Sequence, residues 1–443
     1  MTETVLLKNA FIVTMDKQRR IIERGYVKID DGKIESVNLG YSRGSADTVI
    51  DARGKIAIPG LICTHNHMYG ILTHGMPVRK PPSSFYQFLQ DFWWPHVEYQ
   101  IGEQEITAAT QMACTLMAKT GTTTFADILE APNSVPGALE TEARVVEKSG
   151  LRGTLSFEAS ERAGGSKADD ALNENARFIE KRNHRESKVR GMMCTHTIFT
   201  CSKEFLERAR DLAGKLQVGI QIHLEEGRYE SEYSTQRHGK LPVEVYEEIG
   251  FLNSELLASQ CVHTQPREAE ILKKYDVKLS HMPISNCEVG GGIAPVPEFL
   301  QAGLTVGLGT DGYVTDMFEV MRAAFLIHKA RLENASIMPA PVVFEMATVD
   351  GAKALGLEKR VGSIEVGKQA DIVLLDSKKF PTPITPENAY SQLVAHGNGE
   401  DVDTVLVSGE TIVEKGEMKT LDERRAMREC SRTALQLWNK SQN

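Results

Sequence analysis

Long apolar runs are missing from this 443-residue sequence; no window approaches the ~18 consecutive apolar residues of a membrane span. The opening stretch MTETVLLKNAFIVTMD also lacks a basic segment leading into an apolar one, so it does not read as an export signal. The protein is therefore expected to be soluble and cytoplasmic, with no membrane partner. Positive charge is in short supply as well. The 51 Lys and Arg stand against 60 Asp and Glu, a formal net charge of -9, whereas nucleic acid and anionic lipid select for the opposite balance. No nucleic-acid partner is expected, and a small neutral or cationic substrate is compatible with the charge. Cysteine is sparse. The seven are scattered, odd in number and free of any C-x-x-C pair, which argues against a disulfide framework and reads as reduced thiols. Several, such as Cys261 in LLASQCVH, sit in apolar runs where a thiol packs as a small hydrophobe. Low-complexity tracts are absent, and the glycine-rich EVGGGIAPV at 288–296 has neither the Lys-Ser/Thr of a P-loop nor a G-x-G-x-x-G pattern. Its glycines instead let a loop approach a substrate closely.

What is present is a globular composition, 41% hydrophobic and 25% charged, long enough for one large domain and a smaller one. The first fifty residues read as short strands, with DDGK as a turn between two alternating runs. After IPG the texture changes to apolar strands followed by amphipathic helical stretches. Eight such strands can be counted: LICTHNH, GTTTFADI, LRGTLSFEAS, VRGMMCTHTIF, QVGIQIHLEE, LLASQCVHTQ, VKLSHMPIS and LTVGLGTDG. Between them lie helical segments such as EQEITAATQMACTLMAKTG and SKEFLERARDLAGKL. Eight alternating units imply a closed parallel barrel. The expected fold class is thus α/β: a distorted (β/α)8 TIM barrel over 58–360, and a small β-sandwich formed by 1–57 and 361–443, the latter ending in a helix.

Chemistry concentrates at the ends of those strands. Side chains two apart on a strand share a face, so His65 and His67 of LICTHNH both turn to the barrel axis at its C-terminal end, where such barrels place their active sites. His223, His263, His281 and Asp311 stand at the ends of the fifth to eighth strands. A lone histidine is usually a satisfied polar residue, but six such groups converging on one mouth point to a metal site. His74, His96, His184, His238, His328 and His396 have no converging partners and read as surface or packing residues.

The series PGLICTHNH, HLEE, CVH, SHMPISN and GTDG, closed by GSIEVGKQADIVLLD, resembles the amidohydrolase superfamily over essentially the whole chain. Within it the chain is similar to the cytosine deaminase and chlorohydrolase branch, which includes S-adenosylhomocysteine and methylthioadenosine deaminases, guanine deaminases and triazine hydrolases. FWWPHVE, THTIFTCS and GTDGYVTDMFE also resemble a group of aminohydrolases associated with selenium metabolism. The resemblance implies His65, His67, His223 and Asp311 as metal ligands. Binuclear relatives add a carbamylated lysine after strand four, but CTHTIF holds none, which implies one divalent metal per subunit. Imidazole and carboxylate suit Zn2+, the ion expected, and also Fe2+.

The implied reaction is hydrolytic deamination of an amino-substituted N-heterocycle, such as S-adenosylhomocysteine, methylthioadenosine or adenosine, by metal-bound hydroxide, with release of ammonia. Asp311, with His263 beside it, would take the proton from the metal-bound water. Glu226 of H-x-x-E would protonate the ring nitrogen and carry a proton to the leaving ammonia. His281 would contact substrate or brace the site. For the rest of the substrate the resemblance offers Glu98, one residue farther from the proline than the family spacing, as a ribose ligand, and His196 of THTIFTCS. Arg162 could meet a substrate carboxylate or an acidic side chain. The other reading is a hydrolase of a free purine, pterin or triazine, including dechlorination or alkylamine release. Relatives are commonly dimers or larger, so a homo-oligomer is expected.

Overall fold

The computed structural model describes residues 4–42, 44–78, 82–184 and 187–441. Residues 1–3 and 442–443, at the outer ends of the two terminal segments read from the sequence, lie outside the described residues. The chain begins with β1 (Thr4–Val13), β2 (Ile21–Asp30), β3 (Lys33–Leu39), β4 (Thr48–Asp51) and β5 (Lys55–Pro59). Asp31 and Gly32 turn β2 into β3 with φ of 48° and 70°, the left-handed pair that a two-residue hairpin needs.

The barrel strands follow: β6 (Leu61–Cys63), β7 (Thr122–Leu129), β8 (Arg152–Phe157), β9 (Val189–Gly191) with β10 (Met193–Cys194), β11 (Ile220–Leu224), β12 (Leu256–Gln260), β13 (Lys278–His281) and β14 (Val306–Leu308). All pair in parallel, as β6-β7-β8-β9 and β10-β11-β12-β13-β14. β9 and β10 are two halves of one strand. The Met192 N–H bonds to Leu155 O and the Met193 N–H to Gly219 O, the alternation of a strand with a neighbour on each side. Closure comes at the other seam, where Thr64 N–H donates to Leu308 O at 2.8 Å and Asn66 bridges Asp311. Eight strand positions around a ring make a TIM-type barrel.

After the barrel, β15 (Ile372–Asp376), β16 (Val402–Val407), β17 (Glu410–Glu414) and β18 (Glu417–Met418) return to the first sheet, with β15 antiparallel to β5. The result is one nine-stranded sheet drawn from both chain ends. Strand alternation gives each face its own core. Ile372, Leu374 and Leu406 join Leu7, Ile12, Val27 and Ile29 in a core of the sheet itself, whereas Val373, Leu375, Val405 and Val407 pack into the barrel core. The sheet curls on itself: a Cβ at Gly32 would lie 2.5 Å from Ser408 O, a closeness only glycine permits. A helix, Glu423–Ser441, packs on the helix Glu103–Lys119 and on the 3-10 turn Met68–Thr73, where Trp438 Nε1 donates to Leu72 O at 2.7 Å. Among the described residues no helix is long and apolar enough to cross a membrane.

Candidate active site

The C-terminal ends of the barrel strands converge on one buried pocket. Past β6 the chain presents His65 and His67, and Asp127 of β7 fixes the segment between and beyond them. Its Oδ1 accepts from Asn66 Nδ2 at 3.1 Å and from Met68 N–H at 2.8 Å, while burial pushes its pKa up to about 6. His67 Nδ1 lies 2.9 Å from Ile128 O. A carbonyl only accepts, so Nδ1 carries a proton, and in the neutral ring Nε2 is the nitrogen with the lone pair. That Nε2 lies 3.2 Å from Nε2 of His223 on β11, and the two rings stack within 9° of parallel. His65 stands edge-on to both, fully buried, with neither ring nitrogen partnered. Burial, followed by the neighbouring imidazoles, lowers the pKa of His65 well below the ordinary range and that of His223 to about 3, which favours neutral rings. At His67 burial is outweighed by Glu130, Asp311 and Asp127, and the pKa rises.

Asp311 follows β14 with φ of 58°, and its Oδ1 lies 3.7 Å from His67 Nε2. Gln260 Nε2 and Ser285 Oγ each donate to its Oδ2 at 2.8 Å, and Gly312 N–H to Oδ1 at 2.7 Å. Glu225, Gln260, Cys261 and Asp311 all carry positive φ, backbone strain gathered at the strand ends around this pocket. Glu226 lines the pocket and is buried, and burial, followed by Asp311, raises its pKa well above the carboxyl range.

His263 departs from its expected place beside Asp311. β12 ends at Gln260, whose amide occupies that place, and the left-handed turn at Gln260 and Cys261 carries His263 away, half-buried, to pack against Gly292. His281 also faces elsewhere: its Nε2 lies 3.1 Å from Nε2 of His328 on the helix Met317–Leu332, behind the pocket. His196 does line the pocket, with Nδ1 2.7 Å from Thr200 Oγ1. Glu98 lines it too, but Arg162 binds it directly, spans to Glu158 at 3.1 Å, and stacks its guanidinium 4.8 Å above the Trp94 ring. In this structure Arg162 therefore meets acidic side chains.

Two further acids belong to the site. Glu130 follows β7 and accepts from Tyr69 Oη, which itself accepts from Trp93 Nε1 at 3.1 Å; Glu158 follows β8. With Glu98 they form a buried carboxyl cluster. Burial raises the pKa of Glu98 and Glu158, whereas at Glu130 the charge of His67 and the neighbouring polar groups outweigh burial and lower it. Position was the available signal, since both acids stand directly after barrel strands.

The enclosed space is about 40 Å³, roofed by Phe85, Phe88, Trp93 and Tyr313, and it adjoins an outer cavity of about 640 Å³ that shares the last three. The residues present fit a cation. The Nε2 atoms of His67 and His223 face each other at 3.2 Å, His65 has both nitrogens unpartnered, and a carboxylate stands alongside.

Residues 56–412 match the amidohydrolase family. A protein of Methanosarcina acetivorans named 5'-deoxyadenosine deaminase is 36% identical over 439 residues, covering 98% of each chain. One of Desulforamulus reducens, named 5-methylthioadenosine/S-adenosylhomocysteine deaminase, is 35% identical over 444 residues, covering 98% of this chain and 99% of its own. The crystal structure of an adenosine deaminase from Xanthomonas campestris with bound zinc superimposes with a TM-score of 0.89 at 24% identity, over 99% of this chain and 98% of that one.

Proposed function

Because the chain belongs to the amidohydrolase family, we propose that it is a metal-dependent aminohydrolase that deaminates an adenosine-type compound: 5'-deoxyadenosine, methylthioadenosine, S-adenosylhomocysteine or adenosine. One observation carries this reading. A buried carboxyl with a raised pKa, Glu226, and a carboxylate hydrogen-bonded on both oxygens, Asp311, share a pocket with His67 and His223, whose Nε2 atoms face each other, and His65 stands edge-on to both with its nitrogens unpartnered. His65, His67, His223 and Asp311 are the proposed ligands of a single divalent ion, zinc first and Fe2+ second. Bound there, such an ion acts as a Lewis acid and lowers the pKa of water from 15.7 to about 7.

The chain's own groups then divide the proton traffic. Asp311, held on both oxygens by Gln260, Ser285 and Gly312, accepts the proton of the attacking water. Glu226 gives its proton to the ring nitrogen beside the amine-bearing carbon, so the ring accepts the incoming oxygen without building up negative charge. A proton passed on to the amine lets it leave as ammonia, and the ring keeps a carbonyl. Glu98 is proposed to bind ribose hydroxyls and His196 the heterocycle, with the aromatic roof excluding water. Seven free thiols, six of them buried, support a reducing compartment such as the cytoplasm. A homo-oligomer, dimer or larger, completes the reading by analogy alone.

Ammonia release from 5'-deoxyadenosine, methylthioadenosine, S-adenosylhomocysteine, adenosine, guanine and an amino-triazine tests the proposal. Release from the adenosine compounds is expected. Turnover of a free heterocycle alone would replace the substrate class, and silence across the panel would remove the deaminase reading.

A further inference from the structure

We propose that Glu158 is a positioning residue for His223: its Oε2 accepts the Nδ1–H of that imidazole and so sets which nitrogen faces the metal. The inference rests on His223 being a ligand, as proposed above. His223 points Nε2 at His67 Nε2, 3.2 Å away, on the side of the other imidazoles. If Nε2 gives its lone pair to an ion, the neutral ring must carry its proton on Nδ1. That atom is buried and has no hydrogen-bond partner. Across from it, at 3.8 Å, lies Glu158 Oε2, equally buried and equally without a partner. A donor and an acceptor, both orphaned, thus face each other about 1 Å beyond ordinary hydrogen-bond length.

Glu158 can close that gap. Its Oε1 is tied to Arg162 Nη2 at 3.1 Å, which leaves Oε2 as the oxygen turned toward His223, and a shift of the two side chains together by about 1 Å brings them to hydrogen-bond length. His196 Nε2 is also 3.8 Å from Oε2, but ligation separates the two rings. His196 is free to keep its proton on Nδ1 against Thr200 Oγ1 at 2.7 Å; a ligating His223 has no second choice. Metal-bound imidazoles generally donate their other N–H to a carboxylate or carbonyl, and here His67 uses Ile128 O at 2.9 Å for that purpose. Glu158 gives His223 the matching partner. It also joins two parts of the site, since Arg162 bridges Glu158 to the pocket-lining Glu98.

The test uses the full chain, stripped of metal and titrated with Zn2+ against a chromogenic chelator, as wild type, Glu158→Gln and Glu158→Ala. Glutamine keeps the volume and an acceptor for Arg162, so it guards against simple misfolding, which circular dichroism and melting of the metal-free proteins would reveal. Glu158→Gln is expected to weaken zinc binding by roughly 10- to 100-fold with one ion still bound per chain, and Glu158→Ala at least as much. The visible spectrum of the Co2+ form should change with it, because the orientation of one ligand changes. Unchanged affinity and spectrum would overturn the proposal. So would a wild type that binds two ions and a Glu158→Gln that binds one, since Glu158 would then be a direct ligand with His196. A wild type that binds no zinc would overturn the metal reading itself, a failure distinct from the other two.

Discussion

Burial holds a proton on Glu226 far above the ordinary carboxyl range, and Asp311, Glu130 and Glu230 push in the same direction. A donor works only while protonated, and its protonated fraction falls as pH rises through the raised pKa. Activity should therefore decline on the alkaline side, and Glu226→Gln should lose roughly 10²- to 10⁴-fold in kcat with zinc affinity unchanged. Retained activity in that variant would reassign the donor. Gln260 makes the second residue-level case. Gln260→Leu removes one charge-assisted hydrogen bond from Asp311, worth about 1.5–3 kcal/mol, so kcat should fall roughly 10- to 100-fold with little change in KM. The sequence points to His263 for this place because CVH ends in a histidine and strand ends cannot be read to the residue. Two successive left-handed residues, which no periodicity announces, decide the matter. The convergence of His65, His67 and His223 was legible for the opposite reason: an H-x-H directly after a strand and a histidine near a strand's end both turn to the barrel mouth.

At the level of elements, the eight barrel strands were readable because each apolar run ends in a polar cluster and is followed by an amphipathic helix. The roof was not. Residues 85–100 form a chain of short turns, including a π-helical turn at Leu89–Trp93, and their aromatics follow neither strand nor helix period. This roof has mechanical consequences. If the proposed substrate enters past these aromatics, the segment has to move to admit it. Tyr86 stacks on Tyr229 at 3.7 Å and Phe85 lies against Gly227, both contacts with the start of the helix Arg228–His238 that follows Glu226. Amides across 85–97 should exchange with deuterium faster in the free protein than with a tight-binding adenosine analogue, measured by mass spectrometry. Equal protection in both states would mean that another route leads in.

Over the whole molecule, two cores meet across one sheet face, and a buried ion pair pins the junction. Arg152 of the barrel contacts Asp371 at 3.3 Å with both side chains at most 4% exposed, and Asp371 also accepts from Ser408 N–H at 2.8 Å. Asp371→Ala strands the guanidinium and should destabilise by about 3–5 kcal/mol. A joint Arg152→Met, Asp371→Leu replacement should recover most of it, read by denaturant unfolding. The sandwich expected from the terminal strands takes the form of one curled sheet, because local alternation says which face is buried but not how far a sheet bends.

The contact between Trp438 and Leu72 spans 366 residues and ties the turn after His67 to the helix Glu423–Ser441. On the ribosome His65 and His67 are made early, yet the turn that follows them gains this support only after the whole barrel and the returning sheet strands have been synthesised. A chain that stops before residue 423 would therefore lack the indole that holds this turn, and the segment carrying His65 and His67 would be left less firmly fixed.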